Sequence, residues 1–417
     1  MSNQFRAWLI CLIAACFFSY ELVQLHMLNA LSPHIMSELK LNATQLATLS
    51  STYLLADVLF LIPAGLIIDR FSVRKVILAA LGFCILGTIG FAFSQTFFHA
   101  CVSHFFSGIG NAFCFLSCMI LANGWFKEKS TFVMSFMITI GLLGGVIAQV
   151  PFSLLAEAFN WRNALIIDAA IGVFIWGLNY LFVFDALEEE KKLNKKAIQF
   201  GELFSQLKSA CQIKETWICG FYTGLMNLPL MIISAMVGNL FLTQVHGLSQ
   251  TKASFAISMI SLGTIIGSSF CGWLSEKLNS KKKIMMIGAL SSGFVFLILL
   301  FIRQPRYEFI TAIFFLIGFL SASQVLGYPM ITDAAPEQAK GTAMGVSAVI
   351  IMGLAFILQP ITGVLLDWNK TSLQTGYSAV DFQRAFILFP IAFVLSLLLA
   401  SSVNEKKVQL ASSQANL

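Results

Sequence analysis

Gly65-Leu-Ile-Ile-Asp69-Arg70-Phe-Ser-Val-Arg74-Lys75 sets one acid and three bases between two long apolar runs. A weaker copy, Gly272-Trp-Leu-Ser-Glu276-Lys277-Leu-Asn-Ser-Lys281-Lys282, follows 207 positions later, with glycine, acid and bases at the same offsets. The chain around them has 417 residues, is 58% hydrophobic and 11% charged, and has a mean hydropathy of +0.82. A soluble domain carries about 25% charged residues, so the solvent for most of this chain is lipid. A spanning helix needs roughly 20 apolar residues, and only helices or closed barrels satisfy the backbone in a bilayer. The runs are too long for barrel strands. The sequence therefore describes an all-α membrane protein whose two halves carry one signature each.

Twelve spans are predicted, at about 7–30, 45–68, 75–95, 98–124, 131–156 and 163–184, then 216–243, 250–274, 284–303, 308–332, 341–366 and 383–402. They group into an N-terminal six-helix bundle (1–184), a linker (185–215), a C-terminal six-helix bundle (216–402) and a tail (403–417). The linker contains Glu188-Glu-Glu-Lys-Lys and Lys195-Lys196, too polar to span, and an amphipathic helix on the inner surface is expected there. The tail is polar and expected to be disordered. With both ends inside, nineteen of the 26 Lys and Arg fall on the inner side, a strong positive-inside bias. The net charge of +6 follows from that bias, so no nucleic-acid partner is expected. None of these bases is left for the middle of a span.

Other chemistries are thinly supported. The nine cysteines lie mostly within apolar runs, and Cys114 and Cys118 read as small packing residues. The histidines (His26, His34, His99, His104, His246) are scattered, which argues against a metal centre and a membrane-embedded enzyme. No phosphate-binding Gly-x-x-x-x-Gly-Lys-[Ser/Thr] occurs, so no nucleotide cofactor, nor any other, is expected. The first apolar run contains Glu21 and reads as a retained helix rather than a cleaved signal.

The Gly65–Lys75 stretch resembles the charged loop between the second and third helices of the major facilitator superfamily, roughly G-x-x-x-D-R-x-G-x-R-K. The span count, the repeat and the central linker extend the resemblance over the whole chain. Ser72 departs from it where the family has glycine, and His104 stands where the fourth helix of the family usually has arginine. The fifth span holds Gly141, Gly144 and Gly145 without the Gly-Pro pair of many antiporters, which leans toward uptake. The resemblance implies two pseudo-symmetric bundles and alternating access around a mid-membrane site. It also implies that Gly65, Asp69, Arg70, Arg74 and Lys75, with Gly272, Glu276, Lys277 and Lys281, form an inner gate. Asp69 would cap the eleventh span near Gly341, and Glu276 the fifth near Thr131. The Tyr20-Glu21 pair is similar to the first helix of a bacterial branch that includes relatives of lysosomal dipeptide transporters.

Ionisable groups in a bilayer suggest function. Three acids fall inside spans: Glu21, Asp57 and Asp168. Glu21 lies past the middle of the first span, with Gln24 one turn on. Glu21, Asp57 and His104 are the candidate proton-coupling groups, whereas Asp168 is expected near the outer surface, paired with Arg162. Tyr20, Gln24, Asn111, Gln149, Tyr222, Asn227, Gln324, Tyr328 and Gln359 are candidate walls of a substrate cavity. Without a mid-span cation, a neutral, zwitterionic or cationic solute fits better than a phosphate ester. The reading is a monomeric proton symporter in the inner membrane of a bacterium, both termini cytoplasmic, taking up an amino acid or short peptide. A proton-driven exporter of drugs or siderophores and a transport-inactive sensor are the alternatives.

Overall fold

The structure, a computed structural model, describes residues 3–126, 129–185, 208–302, 305–336, 339–370, 376–403 and 405. The expected amphipathic linker helix and the expected disordered tail lie outside the described residues. So do the side chains of Asp69 and Thr131. Among the described residues twelve helices are long and apolar enough to cross a membrane. They are α1 (Gln4–Leu39), α2 (Ala43–Arg70), α3 (Val73–Ala92), α4 (Phe97–Trp125), α5 (Phe132–Phe159), α6 (Trp161–Phe182), α7 (Lys214–His246), α8 (Gln250–Lys277), α9 (Lys281–Phe301), α10 (Tyr307–Ala334), α11 (Lys340–Asp367) and α12 (Ala379–Ser402). The chain divides into two compact units, Met1–Ala197 and Ile198–Leu417.

The helix starts follow from local chemistry. Asn42 and Gln45 form a capping box at α2, and Ser378 and Asp381 form another at α12. Ser72 accepts from the Lys75 N–H, and Ser280 from the Lys283 N–H. The serine that departs from the family glycine thus opens α3 as an N-cap. A carboxylate from after the sixth helix of each unit joins that cap. Asp185 accepts from the Arg74 N–H at 3.1 Å, and Glu405 from the Lys281 N–H at 2.5 Å and the Ser280 hydroxyl at 2.7 Å. An anion there complements the partial positive charge of a helix N-terminus. The loop bases also bind within their own units. Arg74 donates to the Tyr180 carbonyl and packs on the Phe184 ring, and Lys281 Nζ lies 2.6 Å from Asp333.

The first helix is longer than its sequence suggests. The span expected to end near residue 30 continues through Pro33 and Glu38 to Leu39. It stops at Lys40, whose φ of 53° cannot continue a right-handed helix. Glu21 consequently stands at the midpoint of the helix, not beyond it. Among the described residues five helices are interrupted: α4 at Gly110, α5 at Ala148–Gln149 before Pro151, α7 by a π-helical segment (Pro229–Val237), α10 by a 3₁₀ segment (Ala322–Leu326) and α12 at Ile387. Pro360 lies within α11, which runs without interruption.

The repeat is visible in how the helices cross. A Cβ on Gly108 of α4 would stand 2.3 Å from the Tyr53 carbonyl oxygen of α2, and one on Gly318 of α10 would stand 2.0 Å from that of Ile260 of α8. Small residues permit such approach where lipid supplies no hydrophobic drive. Gly108→Ala and Gly318→Ala should each destabilise by about 1–3 kcal/mol through overpacking, whereas Gly345→Ala, which meets nothing within 4 Å, should not. Melting of the three variants in one detergent checks this.

Candidate functional site

A polar cluster fills the middle of the first unit. Glu21 is fully buried at the centre of α1. The Tyr53 phenol of α2 lies 3.0 Å from its Oε2 and 2.9 Å from its main-chain oxygen. Its Oε1 is buried with no hydrogen-bond partner and faces Gly110, where an added Cβ would stand 2.0 Å away. The break in α4 therefore falls where the carboxyl of α1 needs room. His104 of α4 is buried between Tyr53 and Phe91, with ring centroids 5.2 and 5.4 Å away, and its Nδ1 has no partner. Asp57, one turn after Tyr53, is also buried. The Asn111 side chain approaches its carboxylate without a bond of ordinary geometry to either oxygen.

Asp168 belongs to this cluster, contrary to expectation. It is 3% exposed, and Gln24 Nε2 donates to its Oδ2 at 2.5 Å while the Tyr20 hydroxyl donates to its main-chain oxygen at 3.3 Å. The Gln24 Oε1 accepts from Thr88 at 2.9 Å, which ties α1, α3 and α6 together. Arg162, the expected partner of Asp168, points elsewhere. It meets Glu38 at 2.9 Å and the Ala92 carbonyl at 2.6 Å, and stacks on Trp161, whose indole also donates to Glu38. Six helical positions separate Arg162 from Asp168, so at 100° per residue the two side chains lie on different faces.

The remaining candidates separate by unit. Gln149, at the break in α5, accepts from Asn29 at 3.0 Å and donates to the His26 carbonyl. In the second unit the Tyr222 hydroxyl donates to the Met285 carbonyl and meets Ser323, Thr223 donates to the Gln324 carbonyl, and Gln359 donates to the Met231 carbonyl within the π segment. Asn227 and the Gln324 side chain are buried and Tyr328 is half-buried. Among the described residues, every buried ionisable acid or histidine (Glu21, His26, Asp57, His104 and Asp168) lies in the first unit, and no Lys or Arg is buried in either. No group of histidine, cysteine and acidic residues among the described residues is arranged to hold a metal. Sequence reasoning missed Tyr53 and Thr88; both lie on apolar-looking helices, and only tertiary packing reveals their partners.

The Gln24 bridge makes a stability prediction. Gln24→Leu strands a buried carboxylate oxygen and should cost about 1–3 kcal/mol. In Gln24→Leu/Asp168→Leu no such group is left unpaired, so the double variant should melt above the sum of the single effects. Simple additivity would show that the bridge contributes nothing.

The comparisons with known proteins agree with this architecture. The family model for the Major Facilitator Superfamily matches residues 8–249 and again 220–415. An uncharacterized protein of Campylobacter jejuni is 29% identical over 62% of this chain and 79% of its own. A probable hexose phosphate transport protein of Chlamydia muridarum is 23% identical over 88% of each. The solved structure of a mutant of the nucleoside transporter NupG has the same fold, with a TM-score of 0.75 at 13% identity, covering 97% of this chain and all of that one. With the two matches to the family model together spanning nearly its whole length, the chain belongs to the Major Facilitator Superfamily and is a membrane transporter of small molecules.

Proposed function

We infer that the protein couples the movement of a small neutral, zwitterionic or cationic solute to that of protons. One observation carries this: three carboxyl groups are buried in the first unit, with no buried Lys or Arg among the described residues to neutralise them. Isolated charges in such surroundings cost several kcal/mol each, so an acid there is best accommodated by taking up a proton. Alternate exposure to the two sides of the membrane then turns uptake and release into transport. Glu21 is the principal carrier in this reading, with Asp57 and His104 beside it, and the acidic interior suits an ammonium group better than a second anion. Amino acids and short peptides lead as substrates and uptake as the direction. The protein works as a monomer in the inner membrane of a bacterium, both termini cytoplasmic, and Asp69 and Glu276 serve the inner gate.

The hexose phosphate relative favours a second reading, an organophosphate carrier, but a doubly charged phosphate calls for a cationic clamp. Proteoliposomes with an acidic exterior, offered labelled amino acids, dipeptides or a hexose phosphate, separate the readings. With one proton per solute, each pH unit of gradient supports about tenfold accumulation. Wild type should reach that level with an amino acid or dipeptide, whereas Glu21→Gln should only equilibrate it. Accumulation of the hexose phosphate alone would overturn the substrate class. Extrusion under the reversed gradient alone would turn the importer into an exporter.

A further inference from the structure

We propose that Glu21 takes and releases its proton at Oε1, in the slot left by Gly110, while Tyr53 holds Oε2 in both protonation states. This deepens the proton-coupling reading and rests on it. The two oxygens of this carboxyl are not equivalent. Oε2 is 3.0 Å from the Tyr53 phenol oxygen, whose single hydrogen is shared between Oε2 and the Glu21 main-chain oxygen at 2.9 Å. In the anion that bond is charge-assisted. In the acid, Oε2 becomes the carbonyl oxygen and still accepts from the same phenol. Oε1 is buried with no hydrogen bond of ordinary geometry, the Cys84 thiol approaching the carboxyl without one, and a Cβ at Gly110 would occupy its place, 2.0 Å away.

The surrounding groups leave this division intact. Asp57 stands on α2, Cys84 on α3, His104 and Cys114 on α4, and Asp168 on α6. None is a permanent cation, and Tyr53 alone donates to the carboxyl by ordinary geometry. When the unit opens to one side, a proton from water forms the Oε1–H bond and the carboxyl becomes neutral. When it opens to the other, that bond breaks, the proton returns to water and the anion is restored. Tyr53 keeps the side chain at one rotamer throughout, so neither step requires the carboxyl to swing. Tyr53 is thus a positioning residue, and Gly110 supplies the space.

Infrared difference spectra of the full-length protein in liposomes, taken across a pH step, test this without a substrate. Wild type should show a protonated-carboxyl C=O band that Glu21→Gln removes and that Asp57→Asn and Asp168→Asn leave in place. Tyr53→Phe should move that band to higher wavenumber, because the carbonyl oxygen loses its donor. Gly110→Ala should displace or abolish it with Tyr53 intact. Glu21→Asp, one methylene short of both partners, should also shift the band, and serves where another variant does not fold. An unchanged band in Tyr53→Phe or Gly110→Ala would overturn the assignment while leaving Glu21 as the proton carrier. A band unaffected by Glu21→Gln would remove the proton reading of Glu21 itself.

Discussion

A carboxyl group in the middle of a membrane helix constrains everything packed around it. Water is absent, so its oxygens need partners or a proton, and neighbouring backbones must come close enough to supply them. The first unit meets this with small and hydroxyl-bearing residues about α1. Gly110 clears space for Oε1, Tyr53 reaches Oε2, and Gly172 makes room for the Tyr20 phenol, with a Cβ there falling 2.5 Å from its oxygen. Close helix crossing and polar chemistry are here one property. Gly110 and Gly172 let helices touch and also set which polar atom faces which.

The two units share a scaffold and divide the chemistry. Glycine crossings, serine caps and terminal carboxylates recur at matching places, Gly108 with Gly318, Ser72 with Ser280 and Asp185 with Glu405. The buried ionisable groups do not recur. Where α1 and α2 carry Glu21 and Asp57, the described residues of the second unit bury only uncharged polar groups such as Tyr222, Asn227, Gln324 and Gln359. The interruptions differ in kind as well. The π segment of α7 and the 3₁₀ segment of α10 redirect main-chain carbonyls of Met231 and Gln324 toward side-chain donors. The repeat thus keeps its packing and changes its polar groups, leaving the described residues of the two units with different buried chemistry.

Most of the fold was legible because lipid imposes long apolar runs, and each charged loop marks a turn between them. That Glu21 and Asp57 lie within spans was legible for the same reason, but the depth of Glu21 was not, because it was counted from a helix end placed too early. What failed depended on side chains meeting across the chain. Arg162 looked like the partner of Asp168 through nearness in sequence, but its guanidinium meets Glu38, 124 positions away. Tyr53 gave no signal among its neighbours Thr52 and Leu54, because its phenol matters only once α2 lies against α1. The end of α1 was placed too early, and the helix runs on past Pro33 to Leu39, with Glu38 meeting Trp161 and Arg162.

The placement of Glu21 bears on how the proposed coupling would work. Its carboxyl is enclosed by α1, α2, α3 and α4 of a single unit, in contact with Tyr53, Cys84 and Gly110. A proton therefore reaches Oε1 only if those helices part or a break between them admits water. The elements with the least helical continuity beside α1 are α4 at Gly110 and α5 at Gln149. Both breaks meet α1 through polar atoms, at Glu21 in one case and at His26 and Asn29 in the other. In the proposed coupling, a substrate that bent either helix at its break would alter access to the carboxyl without touching it. Coupling of this kind runs through the packing of α1, so the residues that set proton affinity and those that bind the solute need not be the same.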